Sequence, residues 1–308
     1  MPIDQRAPPP RRADTQGAAQ RPGIDGRLVR TGVSDRTVVA RWPRASVSFR
    51  NREPIHLSAS CRHRRTSRPL PLGRRPQFAH SRQFKLNLHA DLRQRAVVLP
   101  DDTGWVASPS VGIERRMLDR NGKEQGRATS VVRYAAGSAF PPHDHPGGEE
   151  ILVLEGVFSD ERGNYTAGTY IRNPVGSRHG PYSDLGCTLF VKLCQFDPED
   201  SQRVVIDTEQ AGWHPGLVPG LSVLPLHSFG TEHVALVRWA PGTQFKRHCH
   251  WGGEEILVLE GTFQDEHGSY PAGSWLRSPH QSEHTPFSDE GCLIFVKTGH
   301  LARESLSP

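Results

Sequence analysis

Apolar and polar positions along the chain change over short distances and show no sustained helical spacing. SVVRYA (130–135), EILVLEGVF (150–158), TYIRN (169–173) and CTLFVKL (187–193) are rich in β-branched, aliphatic and aromatic residues, and Gly, Pro, Asn and Asp break the chain between them. Short strands at close spacing with turn chemistry between them predict an all-β sandwich or barrel. The 30 glycines and 26 prolines among 308 residues fit that reading, because both residues punctuate regular structure.

The pattern occurs twice. HDHPGGEEILVLE (143–155) returns as HCHWGGEEILVLE (248–260), and an ungapped alignment of 143–192 with 248–297 holds 31 identities in 50 positions. The likeness continues upstream through VVRYAAGSAF and LVRWAPGTQF and, more loosely, to the Gly-Trp pairs at Gly104 and Gly212. A fixed period of this kind marks a duplicated structural unit. The expected organisation is two tandem jelly rolls, 83–199 and 200–308, with the boundary near Phe196–Gln202.

Charge separates a third region. Residues 1–85 contain 18 Arg, 1 Lys and 5 acidic residues, a net of +14, whereas residues 86–308 contain 19 basic and 28 acidic residues, a net of −9. The Arg- and Pro-rich segment 1–82 lacks apolar periodicity and is expected to be a disordered tail. Nucleic-acid binding is not expected of it, since no aromatic interleaving or folded motif accompanies the charge. The Arg11-Arg12 pair is followed by no apolar stretch of the kind an export signal needs. No apolar run approaches the roughly 18 residues that span a bilayer. The five cysteines, Cys61, Cys187, Cys194, Cys249 and Cys292, are odd in number and unevenly spaced, which argues against a disulfide framework. Cys187 and Cys292 start equivalent apolar runs and are expected to be buried thiols. A soluble, cytoplasmic protein is the reading that follows.

The repeated run also carries chemistry. His143 and His145 lie two apart, so on a strand they project from one face. The intervening PGG brings Glu149 to the start of the next strand, and His179 follows in NPVGSRHGP. The second copy offers His248, His250, Glu254 and His284 at identical separations, although Arg178/Glu283 and Val175/His280 differ between copies. Imidazoles and a carboxylate converging on one point suit a first-row divalent ion. Glu150 and Glu255 adjoin these residues but should face the other way on a strand.

These residues resemble the cupin family. The pattern G-x5-H-x-H-x3-E-x6-G is met by Gly137, His143, His145, Glu149 and Gly156, and again by Gly242, His248, His250, Glu254 and Gly261; the second motif is met by Gly168, Pro174, Gly176 and His179. In detail the stretch from GGEEILVLEGVF to RNPVGSRHGP is similar to the cupin domain of the ChrR anti-sigma type, and the likeness extends over about 83–300. The resemblance implies a bicupin, a double-stranded β-helix built twice, with Fe2+ or Zn2+, or Mn2+, held once per domain by the two sets of three His and one Glu. The last motif residue is Ser183 or Ser288 in place of Asn, and Gln281 replaces the motif glycine, which implies an altered turn or a side chain entering the cavity. The tail offers only Cys61 with His56 and His63 nearby, so the zinc-binding anti-sigma domain of ChrR proteins is not matched and sigma-factor binding is not implied. Two functions follow from the family: a mononuclear non-haem iron dioxygenase acting on a diketone or hydroxyacetophenone, or a non-enzymatic zinc-binding sensor related to the ChrR cupin. Either takes a small molecule as ligand or substrate, and a homo-oligomer is compatible with both.

Overall fold

The computed structural model describes residues 86–122 and 126–301. The segment expected to be a disordered tail lies outside the described residues. Every regular element among the described residues is a β-strand, and the strands form two tandem jelly rolls.

The large sheet of the first repeat runs Leu86–Leu88, Ile113–Gly122, Arg127–Tyr134, Cys187–Leu193, Glu149–Asp160, Thr169–Asn173 and Val204–Asp207 in spatial order. The second runs His214–Pro215, Leu221–Phe229, Glu232–Trp239, Cys292–Thr298, Glu254–Asp265, Trp275–Ser278 and Ala96–Val98. The last strand of each sheet thus comes from the chain segment that leads into the other repeat. Ala96–Val98 pairs antiparallel with Trp275–Ser278, with Val97 opposite Leu276, and Val204–Asp207 pairs with Thr169–Asn173, with Val205 opposite Ile171. This reciprocal exchange closes an edge that would otherwise expose unpaired backbone groups.

The two long strands each serve two sheets. Up to Gly156 the strand Glu149–Asp160 pairs with Cys187–Leu193, and beyond it residues 157–160 pair with the hairpin partner Gly163–Thr166. Gly156 stands at the corner with a φ of 73°, and a Cβ there would collide with the carbonyl oxygen of Gly186. Gly261 repeats the arrangement against Gly291, so the corner accepts glycine alone on both steric and conformational grounds.

Alternation along these strands sends successive side chains into different interiors. Ile151 and Val153 enter the core of the first repeat with Tyr134, Phe158 and Leu189. Leu152 faces the opposite way, into a core shared by both repeats, where it joins Tyr170, Phe190, Leu257, Trp275 and Phe295. Ile256 and Val258 repeat the inward role in the second unit. Both faces of the strand are therefore buried, which accounts for an apolar run in place of a strict alternation.

A seam of charge crosses the shared core. Lys192 Nζ lies 2.5 Å from Glu255 Oε2, and Lys297 Nζ lies 2.9 Å from Glu150 Oε2, each lysine reaching the glutamate of the other repeat. The hydroxyl of Tyr170 donates to Glu150 at 2.5 Å, and the equivalent Trp275 donates its Nε1–H to Glu255 at 2.8 Å. Arg172 adds contacts to Glu150, Glu232 and Asp200 at 3.2, 2.9 and 2.6 Å. Arg277 pairs with Asp119. Burial alone would raise the Glu150 pKa, but Lys297, Arg172 and Lys192 outweigh it and hold the carboxyl at about 2. Glu255 is held well below the usual range in the same way by Lys192 and His300. As the alternation implied, Glu150 and Glu255 face away from the histidines, and this seam is where they go.

Gln281 neither alters its turn nor enters the cavity. It adopts a φ of 63°, close to the 77° of Gly176, and its N–H donates to His250 O at 3.0 Å just as Gly176 donates to His145 O at 2.9 Å. Its side chain is exposed. The turn is set by that backbone bond and by the prolines Pro174 and Pro279, each accepting from the residue three positions on, so a non-glycine residue is held in the left-handed region.

Removing one partner of a buried ion pair leaves the other desolvated and uncompensated, at a cost of about 3–5 kcal/mol. Lys192→Met is therefore expected to destabilise the protein by about that amount, and by more than Lys297→Met, because Glu150 retains Arg172. Urea unfolding midpoints of the two variants check this; equal losses, or losses below about 1 kcal/mol, would contradict it.

Candidate metal centre

Among the described residues, two groups of three histidines bring ligand nitrogens within 4.8 Å of one another: His143, His145 and His179, and His248, His250 and His284. The short strand His143–His145 pairs antiparallel with Ser177–His179, which puts His179 directly opposite His143 and Ser177 opposite His145. His248–His250 and Ser282–His284 repeat this register. The residue between each pair of histidines points outward: Asp144 is exposed and pairs with Arg178 at 3.0 Å, and Cys249 is exposed opposite Glu283. All eight residues singled out in the sequence are brought together as two sets of four, with Glu149 and Glu254 opening the long strands beside their histidines.

Glu149 Oε2 lies 3.5 Å from His145 Nε2 and 3.3 Å from His179 Nε2, yet neither buried nitrogen has a hydrogen-bond partner. The ring orientations are set from outside. His143 Nδ1 faces the carbonyl oxygen of Pro141 at 2.8 Å and His248 Nδ1 that of Lys246 at 3.0 Å; a carbonyl only accepts, so Nδ1 carries the proton and Nε2 keeps a free lone pair. His179 Nδ1 faces Asp160 Oδ2 at 3.3 Å, with the same consequence. Asn173 donates to Glu149 Oε2 at 3.0 Å and holds that carboxylate in place.

The second centre is built on the same plan and differs around its glutamate and in its histidine contacts. Ser278 stands where Asn173 would be, so Glu254 lacks the amide donor given to Glu149. His250 Nε2 and His284 Nε2 approach to 2.9 Å. Burial pushes Glu254 up to about 7, while burial together with the rings of His284 and His248 holds His250 down to about 3. Burial also lowers His145, whereas at His179 and His284 it is outweighed by the adjacent Asp160 or Asp265 carboxylate and by Glu149 or Glu254, and both are raised. In the first centre two buried Nε2 atoms have no hydrogen-bond partner, and in the second the charge of the buried Glu254 carboxylate is costly; a bound cation relieves both, so the residues present fit a divalent ion.

Asp160, Asp265, Tyr165 and Tyr270 escaped the sequence reading. Tyr165 donates to Asp160 Oδ1 at 3.1 Å and Tyr270 to Asp265 Oδ1 at 2.8 Å, so each third histidine is backed by an Asp-Tyr pair on the hairpin beside it. All four are identities between the copies, which was the available signal. Cys187 and Cys292 are buried, and burial pushes each thiol up to about 11, in keeping with an inert role. Phe140 and Phe245 lie against His143 and His248, whereas Trp275 belongs to the shared core.

Known proteins share this architecture. The anti-sigma-E factor ChrR of Cereibacter sphaeroides is 38% identical over 72 residues, a match covering 22% of this chain and 34% of that protein, so the chain spans about a third of the length of this relative. A crystal structure of a candidate dioxygenase from Nostoc punctiforme superposes with a TM-score of 0.56 at 17% identity, covering 68% of this chain and 84% of that one. Protein YlbA from E. coli superposes at 0.54 with 14% identity, covering 73% and 97%. These structural likenesses show a shared fold. The model of the ChrR cupin-like domain matches residues 93–197 and again 201–302, more than half of the chain, and the protein therefore belongs to that family and carries its domain twice.

Proposed function

We propose that the protein is a metal-binding bicupin holding one divalent ion per repeat, with His143, His145, Glu149 and His179 as ligands in the first and His248, His250, Glu254 and His284 in the second. The observation that carries this reading is the pair of buried Nε2 atoms of His145 and His179 in the first repeat, which lack a hydrogen-bond partner and lie 3.5 and 3.3 Å from the Glu149 carboxylate.

Zinc held by these residues would serve a structural or sensing role, whereas Fe2+ or Mn2+ would serve chemistry between a small-molecule substrate and O2. Bound iron would supply the electron exchange between them. The chain's own residues supply the surroundings. Phe140, Phe158, Ile151 and Val153 form an apolar wall that excludes water beside the histidines. Tyr134 stays protonated, because burial and the Glu149 charge push its pKa well above the usual value. The equivalent Trp239 Nε1 is buried without a hydrogen-bond partner, against Phe263, which in turn touches His284. A carbonyl oxygen is the acceptor such a donor takes. These features support a dioxygenase acting on a small carbonyl compound of the diketone or hydroxyacetophenone type. The likeness to ChrR favours a second reading, a zinc-holding sensor that binds or responds without turnover.

Protein purified without added metal should contain about two metal ions per chain by elemental analysis, falling to about one in His143→Ala/His145→Ala and in His248→Ala/His250→Ala. Retention of both ions in either double variant would contradict the assignment. The anaerobically iron-loaded protein should consume O2 when given a diketone or hydroxyacetophenone, at a rate free iron does not reproduce, and zinc replacement or Glu149→Ala should suppress it in folded protein. Absence of O2 uptake across a carbonyl panel, with zinc in the isolated protein and metal release on peroxide exposure, would replace the oxygenase with the sensor.

A further inference from the structure

The exchanged strands carry more than backbone pairing. Arg95 immediately precedes Ala96–Val98, the strand that the first repeat lends to the second sheet. Its guanidinium donates to Tyr270 Oη at 2.6 Å and to Asp265 Oδ2 at 3.3 Å, across more than 150 residues of sequence. Tyr270 donates to Asp265 Oδ1 at 2.8 Å, and Asp265 Oδ2 lies 3.6 Å from His284 Nδ1, long for a hydrogen bond but within ion-pair reach. Arg203 stands in the corresponding place before Val204–Asp207 and donates to Tyr165 Oη at 3.0 Å, from which the chain continues through Asp160 to His179. Each third histidine is thus backed by an Asp, a Tyr and an Arg, and the Arg arrives from the other side of the exchange.

We propose that Arg95 and Arg203 are positioning residues, each orienting the third histidine of the metal centre that its exchanged strand borders. The inference rests on the metal reading above. The guanidinium fixes the tyrosine hydroxyl, the hydroxyl fixes the aspartate, and the aspartate faces Nδ1 and sets the ring so that Nε2 points at the metal position; outer partners of this kind tune affinity through the ligand they orient. The two chains are unequal. Asp160 has a cation on its own hairpin, Arg162, 3.8 Å away, whereas position 267 is His, so Asp265 depends more heavily on Arg95. The second centre is therefore the more sensitive to loss of its exchanged arginine.

The test uses the full chain carrying His143→Ala/His145→Ala, so that the second centre alone remains, and follows Co2+ by competition with a chromophoric chelator and by its visible absorption band. Arg95→Gln is expected to weaken Co2+ binding about 10-fold and to shift the band, and Arg95→Lys to recover most of the loss. Arg93→Gln, on the same segment but paired locally with Asp91, should match the parent. Arg203→Gln in the His248→Ala/His250→Ala background should show a smaller loss. If Arg95→Gln lowers the metal-free melting temperature, Tyr270→Phe, which keeps the ring and removes the hydroxyl link, takes its place with the same expected loss. Unchanged affinity and an unchanged band in Arg95→Gln or Tyr270→Phe would overturn this inference alone; failure of the parent to bind Co2+ would overturn the metal reading and this inference with it.

Discussion

Glu149 and Glu150 leave one strand in opposite directions, and both end where water does not reach. One carboxylate faces His145 and His179 inside its own repeat, and the other meets a lysine supplied by the second repeat. Two adjacent buried charges on one strand are tolerable only if each has a fixed counter-charge. Glu150 finds its partner in the shared core. Among the described residues Glu149 meets the Asn173 amide and the imidazoles of His145 and His179, and a bound cation is the complement such a carboxylate takes. Duplication doubles the requirement: Lys192 and Lys297 each reach across the seam to the glutamate of the other repeat, and Arg172 supplements Lys297 at Glu150.

This arrangement explains which residues the copies keep. Positions 149–155 and 254–260 are identical because inward side chains build the centre while outward ones build the seam. Asp144 and Cys249, between the liganding-type histidines, face solvent and are free to differ. The exchange of Ala96–Val98 and Val204–Asp207 adds a backbone lock to the electrostatic one and carries Arg95 and Arg203 to the backs of the two histidine relays.

The architecture and the eight candidate residues were legible in the chain because their signals are local: short apolar runs between turn residues, a histidine pair at strand spacing, a repeat at constant offset. What sequence could not disclose depends on contacts between distant segments. Nothing in AVV at 96–98 or VVID at 204–207 says which sheet the strand joins, since both read as short generic strands. Lys192 and Lys297 look like ordinary solvated strand ends until the shared core brings them against Glu255 and Glu150. Asp160 and Asp265 read as turn residues, and only the folded hairpin brings them against His179 and His284. Gln281 shows the opposite case, in which a motif departure at a glycine position leaves the turn intact because backbone hydrogen bonding outweighs the left-handed strain of about 1–2 kcal/mol.

Anomalous scattering from crystals of protein purified without added metal tests the central claim most directly. The structure predicts two peaks per chain at the absorption edge of the bound element, each about 2.0–2.3 Å from three imidazole Nε2 atoms and close to Glu149 or Glu254. Empty histidine clusters with Nε2 atoms paired to protein groups or water, or peaks located elsewhere on the molecule, would contradict it.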